Sequence, residues 1–222
     1  MVYSGPPTPF NMDKYYTMTV NSRLFITFIL SGLFLSGCAS IDPSTTNVEW
    51  QTQQQKLASI NKYKTNGKLG YISPEQRQSL NFQWKHSSSF KQLRLTTFLG
   101  QTALNLKITP EGSSIETYQD ETFTSHDAQS LIYRLTGLNL PVEQLNSWFL
   151  GSPEGADSFV LNDTNTLASL TKQVQSKVWQ LDYLSYQDVQ YQHQTLPLPH
   201  KLKLTQGDIK INIIISDWNI EQ

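Results

Sequence analysis

Few side chains in this 222-residue sequence are placed to do covalent chemistry. The four histidines, His86, His126, His193 and His200, lack the H-x-x-x-H spacing of a metal site. A single cysteine, Cys38, allows neither a Cys-rich zinc site nor an intramolecular disulfide. Gly151-Ser152-Pro153-Glu154-Gly155 sets a serine among glycines without the spacing, or the following helix, of a nucleophile elbow. Asp120-Glu121 and Glu154 fall in expected turns, where carboxylates are ordinarily solvated, and Asn162-Asp163-Thr164 matches a glycosylation sequon by letter alone. No catalytic residue, metal or cofactor is therefore expected. With 17 Lys+Arg against 18 Asp+Glu there is also no cationic excess of the kind that holds nucleic acid.

Cys38 itself is the informative residue. Leu24 to Phe34, LFITFILSGLF, is an apolar run of signal-peptide length behind Arg23, too short to span a bilayer. It leads into Leu35-Ser36-Gly37-Cys38, which resembles the lipobox of bacterial lipoproteins, whose cysteine is acylated after cleavage. Residues 1–37 are read as a signal peptide with an overextended start, since Met12 or Met18 would open a more typical one. Removing them, with Lys14, Arg23 and Asp13, leaves 185 residues carrying 15 Lys+Arg and 17 Asp+Glu. Residues 38–48 are the lipidated N-terminus and a small, polar tether; residues 49–222 are the globular domain. Near-neutral charge leaves the acyl chains as the membrane anchor. In lipoproteins of this type an aspartate after the cysteine signals inner-membrane retention, so Ala39 points to the outer membrane.

The elements around this anchor can be read from periodicity. Trp50, Leu57, Ile60 and Tyr63 share one side of an amphipathic helix over Glu49–Tyr63. The period then changes to two: Leu80, Phe82 and Trp84; Leu93 and Leu95; Leu104, Leu106 and Ile108; and, near the C-terminus, Trp179, Leu181 and Tyr183; Leu202 and Leu204; Ile209 to Ile215 at odd positions. Pro110-Glu111-Gly112 and Gln206-Gly207-Asp208 are hairpin turns. Between the strand groups, Ser125 is expected to cap a helix ending at Gly137, and Pro141 to open another running to Leu150. Without βαβ alternation this is an α+β arrangement, a curved antiparallel sheet with helices gathered on one face. The helices could be a lid over an apolar pocket, or could simply pack as core, the plainer outcome of periodicity.

Thr136-Gly137-Leu138-Asn139-Leu140-Pro141 through Leu145, Trp148, Gly151 and Pro153 resembles the TG-x-x-(L/I)P-x-x-x-L-x-x-W-x-x-G-x-P signature of the LolB family of outer-membrane lipoprotein receptors. In the same order along the chain come Tyr63 to Tyr71, Phe82-Gln83-Trp84, Leu99-Gly100, Trp179 to Tyr183 with Tyr186, Leu196-Pro197, Ile209-Lys210-Ile211 and Trp218. The resemblance implies an incomplete β-barrel with a helical lid over an apolar cavity. It further implies a periplasm-facing, lipid-anchored monomer that accepts triacylated lipoproteins from a periplasmic LolA-like carrier, binding their acylated N-termini, and inserts them into the inner leaflet of the outer membrane. Alternatives are an envelope-assembly scaffold lipoprotein or a periplasmic lipid-processing enzyme.

Under that resemblance, Phe82, Trp84, Leu93, Leu95, Leu104, Leu106, Trp148, Trp179 and Leu181 are the candidates for cavity lining, although pockets and cores use the same residue types. Thr97-Phe98-Leu99-Gly100-Gln101 is an apolar stretch where the chain should reverse. Parity with Leu93 and Leu95 would put Leu99 at a buried strand end. The resemblance instead makes Phe98, Leu99 and Gly100 a membrane-insertion loop with a protruding leucine, departing from the family pattern at Phe98, where proline is expected.

Overall fold

The computed structural model describes residues 41–136 and 140–221. The signal-peptide segment, Cys38 and Ala39, and Gly137 to Asn139 of the signature, lie outside the described residues.

Eleven strands form one antiparallel sheet. They are β1 (Tyr63–Ile72), β2 (Arg77–Ser87), β3 (Phe90–Thr96), β4 (Thr102–Thr109), β5 (Gly112–Thr117), β6 (Thr122–Ser125), β7 (Ser158–Leu161), β8 (Leu167–Val174), β9 (Lys177–Tyr191), β10 (Gln194–Gln206) and β11 (Ile209–Ile220). The helices among the described residues are α1 (Trp50–Ala58), α2 (Ala128–Thr136) and α3 (Leu145–Leu150). Strand order is β6-β5-β4-β3-β2-β1-β11-β10-β9-β8-β7. The N-terminal and C-terminal strand groups are thus two meanders zipped by β1 against β11, and the sheet does not close, because β6 and β7 are its edges.

The sheet nevertheless wraps. Four ladder steps separate β2 from β9, about 19 Å in a flat sheet. Yet the six-residue α3 touches both: the Phe82 and Trp84 rings of β2 lie 6.1 and 5.5 Å from Phe149, while Tyr183 Oη of β9 donates to Trp148 O at 2.8 Å. Curvature turns the inner face into a concave surface, where Trp84, Leu106, Trp179, Leu181, Leu202, Leu204, Ile213 and Ile215 are buried at the alternate positions that sequence periodicity marks.

Boundaries differ from the sequence reading in three places. The first helix stops at Ala58, capped by Ser59, and Tyr63 opens β1 instead. Glu49 caps its start, accepting from Gln51 N and Thr52 N at 3.1 and 2.7 Å. The cap of α2 is Asp127, not Ser125: its carboxylate accepts from Gln129 N and Ser130 N at 3.0 and 3.1 Å and from the Ser130 hydroxyl, which holds its pKa below the ordinary value. The third helix begins at Leu145, four residues after Pro141, because Val142 to Gln144 form a turn first.

β1 was hidden from periodicity by its small inward residues, and packing explains them. At Gly67 the ladder to β11 is bulged, and a Cβ there would lie 1.9 Å from Ile214 O. Only glycine permits that approach. The turn between β7 and β8 contains the sequon letters: Asn162 Oδ1 accepts from Thr164 N and Thr166 N at 3.1 and 3.0 Å, an Asx turn that closes the hairpin.

Candidate functional site

Between the concave face of β1–β4 and the α2 segment lies an apolar cavity of about 380 Å³. Leu69, Leu80, Leu93, Leu95, Leu104 and Leu106 line it from the sheet. Ile132 and Leu135 of α2 face them, with Leu140, Val142 and Leu145 of the connection to α3. Exposed Gln76 and Gln78 supply polar atoms at its rim. Leu93, Leu95 and Leu104 are only half-buried, as expected of side chains with open space in front of them.

Of the nine side chains that the sequence offers for such a lining, Leu93, Leu95, Leu104 and Leu106 come together here. Phe82, Trp84, Trp148, Trp179 and Leu181 are packed elsewhere in the same core, each no more than 3 % exposed. Hydrogen bonding accounts for part of the division. Trp84 Nε1 donates to Tyr63 Oη at 2.9 Å, Tyr63 Oη donates to Asn146 O at 2.6 Å, and Trp148 Nε1 donates to Glu154 O at 3.1 Å. The Tyr63 bond to Asn146 O and the Tyr183 bond to Trp148 O at 2.8 Å pin α3 to the sheet. Burial correspondingly pushes the Tyr63 and Tyr183 hydroxyls well above their ordinary pKa, so both remain protonated donors. Lining residues of α2 and its connection were harder to see in sequence. Ile132 and Leu135 share i, i+3 spacing, which marks a common helix face but not whether that face meets core or space.

At one end of this half-barrel the β3–β4 hairpin projects. Thr97 N donates to Gln101 O at 2.9 Å and Gly100 N to Thr97 O at 3.0 Å, with Gly100 at φ +83°. This is a β-turn followed by a left-handed residue, a geometry that glycine adopts without strain. Phe98 and Leu99 occupy the turn's centre and are 86 % and 72 % exposed. A register shift after Leu95 and the turn itself remove Leu99 from the inward parity of β3. The two most apolar residues of the loop are thus held in solvent by a well-bonded turn, at odds with the usual composition of a hairpin tip.

The fold and its site define a class: an open antiparallel sheet wrapped around an apolar pocket, covered by short helices. The same fold is found in a domain from Vibrio parahaemolyticus described as an outer membrane lipoprotein-sorting protein domain, with a TM-score of 0.50 at 8 % identity, covering 78 % of this chain and 90 % of that one.

Sequence comparison is more specific. The family model described as outer membrane lipoprotein LolB matches residues 61–218. The outer-membrane lipoprotein LolB of Vibrio campbellii is 54 % identical over 200 residues, covering 90 % of this chain and 98 % of that protein, and that of Vibrio cholerae is 48 % identical over 198 residues, covering 89 % and 97 %. The chain belongs to the LolB family and is an outer-membrane lipoprotein. Among the described residues no helix is long and apolar enough to cross a membrane.

Proposed function

We propose that this protein is a membrane-anchored receptor that takes acylated lipoproteins from a periplasmic carrier and releases them into the inner leaflet of the outer membrane, without covalent chemistry. The observation that carries this reading is the apolar cavity under α2. Cys38 is the acylated anchor, residues 38–48 are the tether, and the domain from residue 49 onward does the work as a monomer.

Energetics make a shielding pocket necessary. Three acyl chains hold about 45 methylenes, whose exposure to water would cost on the order of 30 kcal/mol. Noncovalent affinities saturate near roughly 20 kcal/mol, so the pocket must shelter the chains without holding them at full strength. A methylene needs roughly the volume of a liquid water molecule, about 30 Å³. At about 380 Å³ the cavity is too small for three full chains. Loading therefore requires the pocket to widen. α3 is pinned by the Tyr63 and Tyr183 hydroxyls, and α2 supplies the facing wall of the pocket through Ile132 and Leu135, so we read α2 as the element that moves. Transfer between two apolar pockets and then to a bilayer exchanges like surroundings at each step, leaving only small free-energy differences. The Phe98–Leu99 tip supplies the contact with the acceptor leaflet.

The test is uptake by the purified protein of an apolar fluorescent probe, followed by displacement with an acylated peptide. Saturable uptake and displacement by acylated but not by unacylated peptide are expected. A protein that took up neither would be a scaffold rather than a receptor.

A further inference from the structure

The outer face of β1–β4, the side turned away from the cavity, carries a concentration of cations that the near-neutral composition conceals. Lys64, Lys68, Lys85, Arg94 and Lys107 all occupy outward positions there, and among the described residues none has a carboxylate within ion-pair distance. The ion pairs found are Lys62–Glu221 and Lys172–Asp157. Lys64 and Lys85 even sit directly opposite each other in the ladder, an arrangement that costs stability by itself. Two carboxylates share this face, Glu116, which accepts from Asn105 Nδ2 at 2.9 Å, and Asp217, which accepts from Asn66 Nδ2 at 3.4 Å; neither forms an ion pair with the five cations.

Two of the five cations belong to one groove with the apolar hairpin. A depression of about 530 Å³ is lined by Lys68, Asn81, Gln83, Arg94, Thr96 and Gly100, among others, so it runs from the base of the Phe98–Leu99 turn down the outer face. Lys68 and Arg94 are exposed, and Arg94 Nη2 donates to Thr102 Oγ1 at 3.0 Å, which orients its guanidinium beside the turn. Ladder geometry sets the depth. Lys68 is level with Thr96 through Asn81, three residues from Leu99 and so about 10 Å from the tip. Apolar groups of interfacial proteins sink roughly 5–10 Å below the headgroups. A tip seated at that depth brings Lys68, and next Arg94, to the level of the phosphates.

We propose that this groove is a docking site for phospholipid phosphates, with Lys68 and Arg94 as its cations and the polar amides of Asn81 and Gln83 as further donors. It rests on the reading of the hairpin as the membrane contact, and assigns the chemistry that orients it: the apolar tip provides depth, the cations fix which face of the barrel meets the leaflet. The three lysines farther from the tip extend the attraction without reaching the headgroups.

The test uses the processed, acylated protein in vesicles of phosphatidylethanolamine with and without phosphatidylglycerol. An environment-sensitive fluorophore on Phe98→Cys reports insertion of the tip. Insertion should rise with phosphatidylglycerol and fall with salt. Lys68→Gln/Arg94→Gln should lower the inserted fraction relative to the free one by about 25-fold, since each basic residue near an anionic surface contributes about a factor of five, whereas Lys68→Arg should leave it unchanged. Insertion by the double variant equal to that of the parent, with the same salt dependence, would overturn this inference while leaving the hairpin's role intact. A fluorophore that stays in water in every vesicle would overturn both. A double variant that inserts normally but no longer receives lipoprotein from the carrier would make the groove a protein-docking face and refute phosphate binding.

Discussion

Replacing Leu99 by glutamate separates folding from delivery more cleanly than any other change on the hairpin. Leu99 is 72 % exposed and touches no core, so the fold should lose less than about 0.5 kcal/mol. In the acceptor membrane the balance is different. Burying a leucine contributes about 1.5–3 kcal/mol relative to full exposure, of which the exposed fraction leaves about 1–2 kcal/mol to be gained on insertion. A carboxylate near the interface costs up to about 1 kcal/mol more. Leu99→Glu should therefore lose about 1–3 kcal/mol at the step that commits cargo to the bilayer, slowing delivery roughly 5- to 150-fold, and Leu99→Ala by up to about 10-fold. The assay is transfer of an acylated lipoprotein from the loaded receptor to vesicles, run beside a denaturant titration of the same variant. Delivery by Leu99→Glu at the parent rate would refute the role given to the hairpin. A shifted unfolding midpoint would refute the premise that the turn is independent of the core.

Three further outcomes follow from other parts of the molecule. Leu104→Trp places an indole ring in the cavity opposite Leu95 and should reduce apolar-probe uptake severalfold without unfolding the domain, as titration of probe binding would show. Gly67→Ala drives a methyl group into Ile214 O and should destabilise the protein by about 2–3 kcal/mol, read from the denaturant midpoint. His86, half-buried with Nδ1 unpartnered, has its pKa pushed below the ordinary value of 6.5 by burial and by Lys91. The unfolded chain then takes up a proton that the folded one resists, so stability is full above about pH 6.5 and falls as the pH drops below it; in His86→Gln this part of the pH dependence should vanish from thermal unfolding curves.

Much of the architecture was legible because the sheet has one wet face. Alternation at Leu80–Phe82–Trp84, Trp179–Leu181–Tyr183 and Ile209–Ile215 survives folding, since the inward residues face the same concave core, where all but the partly buried Leu80 and Ile209 are buried. β1 was not legible in that way. Its inward positions hold Thr65 and Gly67, selected by the closeness of β11 rather than by hydrophobicity, and their meaning appears only when Ile214 lies across from them. Helix ends were misread where two capping residues competed: Ser125 and Asp127 both suit an N-cap, and it is the aspartate whose carboxylate reaches two backbone amides.

By itself the sequence determined the class of protein: the lipobox-like cysteine, the α+β order and the family signature are local or ordered along one dimension. Which apolar residues face space and which face core is a different kind of fact. Leu104 and Trp84 have the same parity and kindred chemistry, yet one lines the cavity while the other is sealed under Tyr63 and Phe149. That difference depends on how far the sheet curves and where α2 and α3 settle, the sum of many contacts between residues distant in sequence. The exposure of Leu99 was likewise decided in three dimensions, by a bulge after Leu95 and a left-handed glycine that turn an inward-parity residue out to solvent.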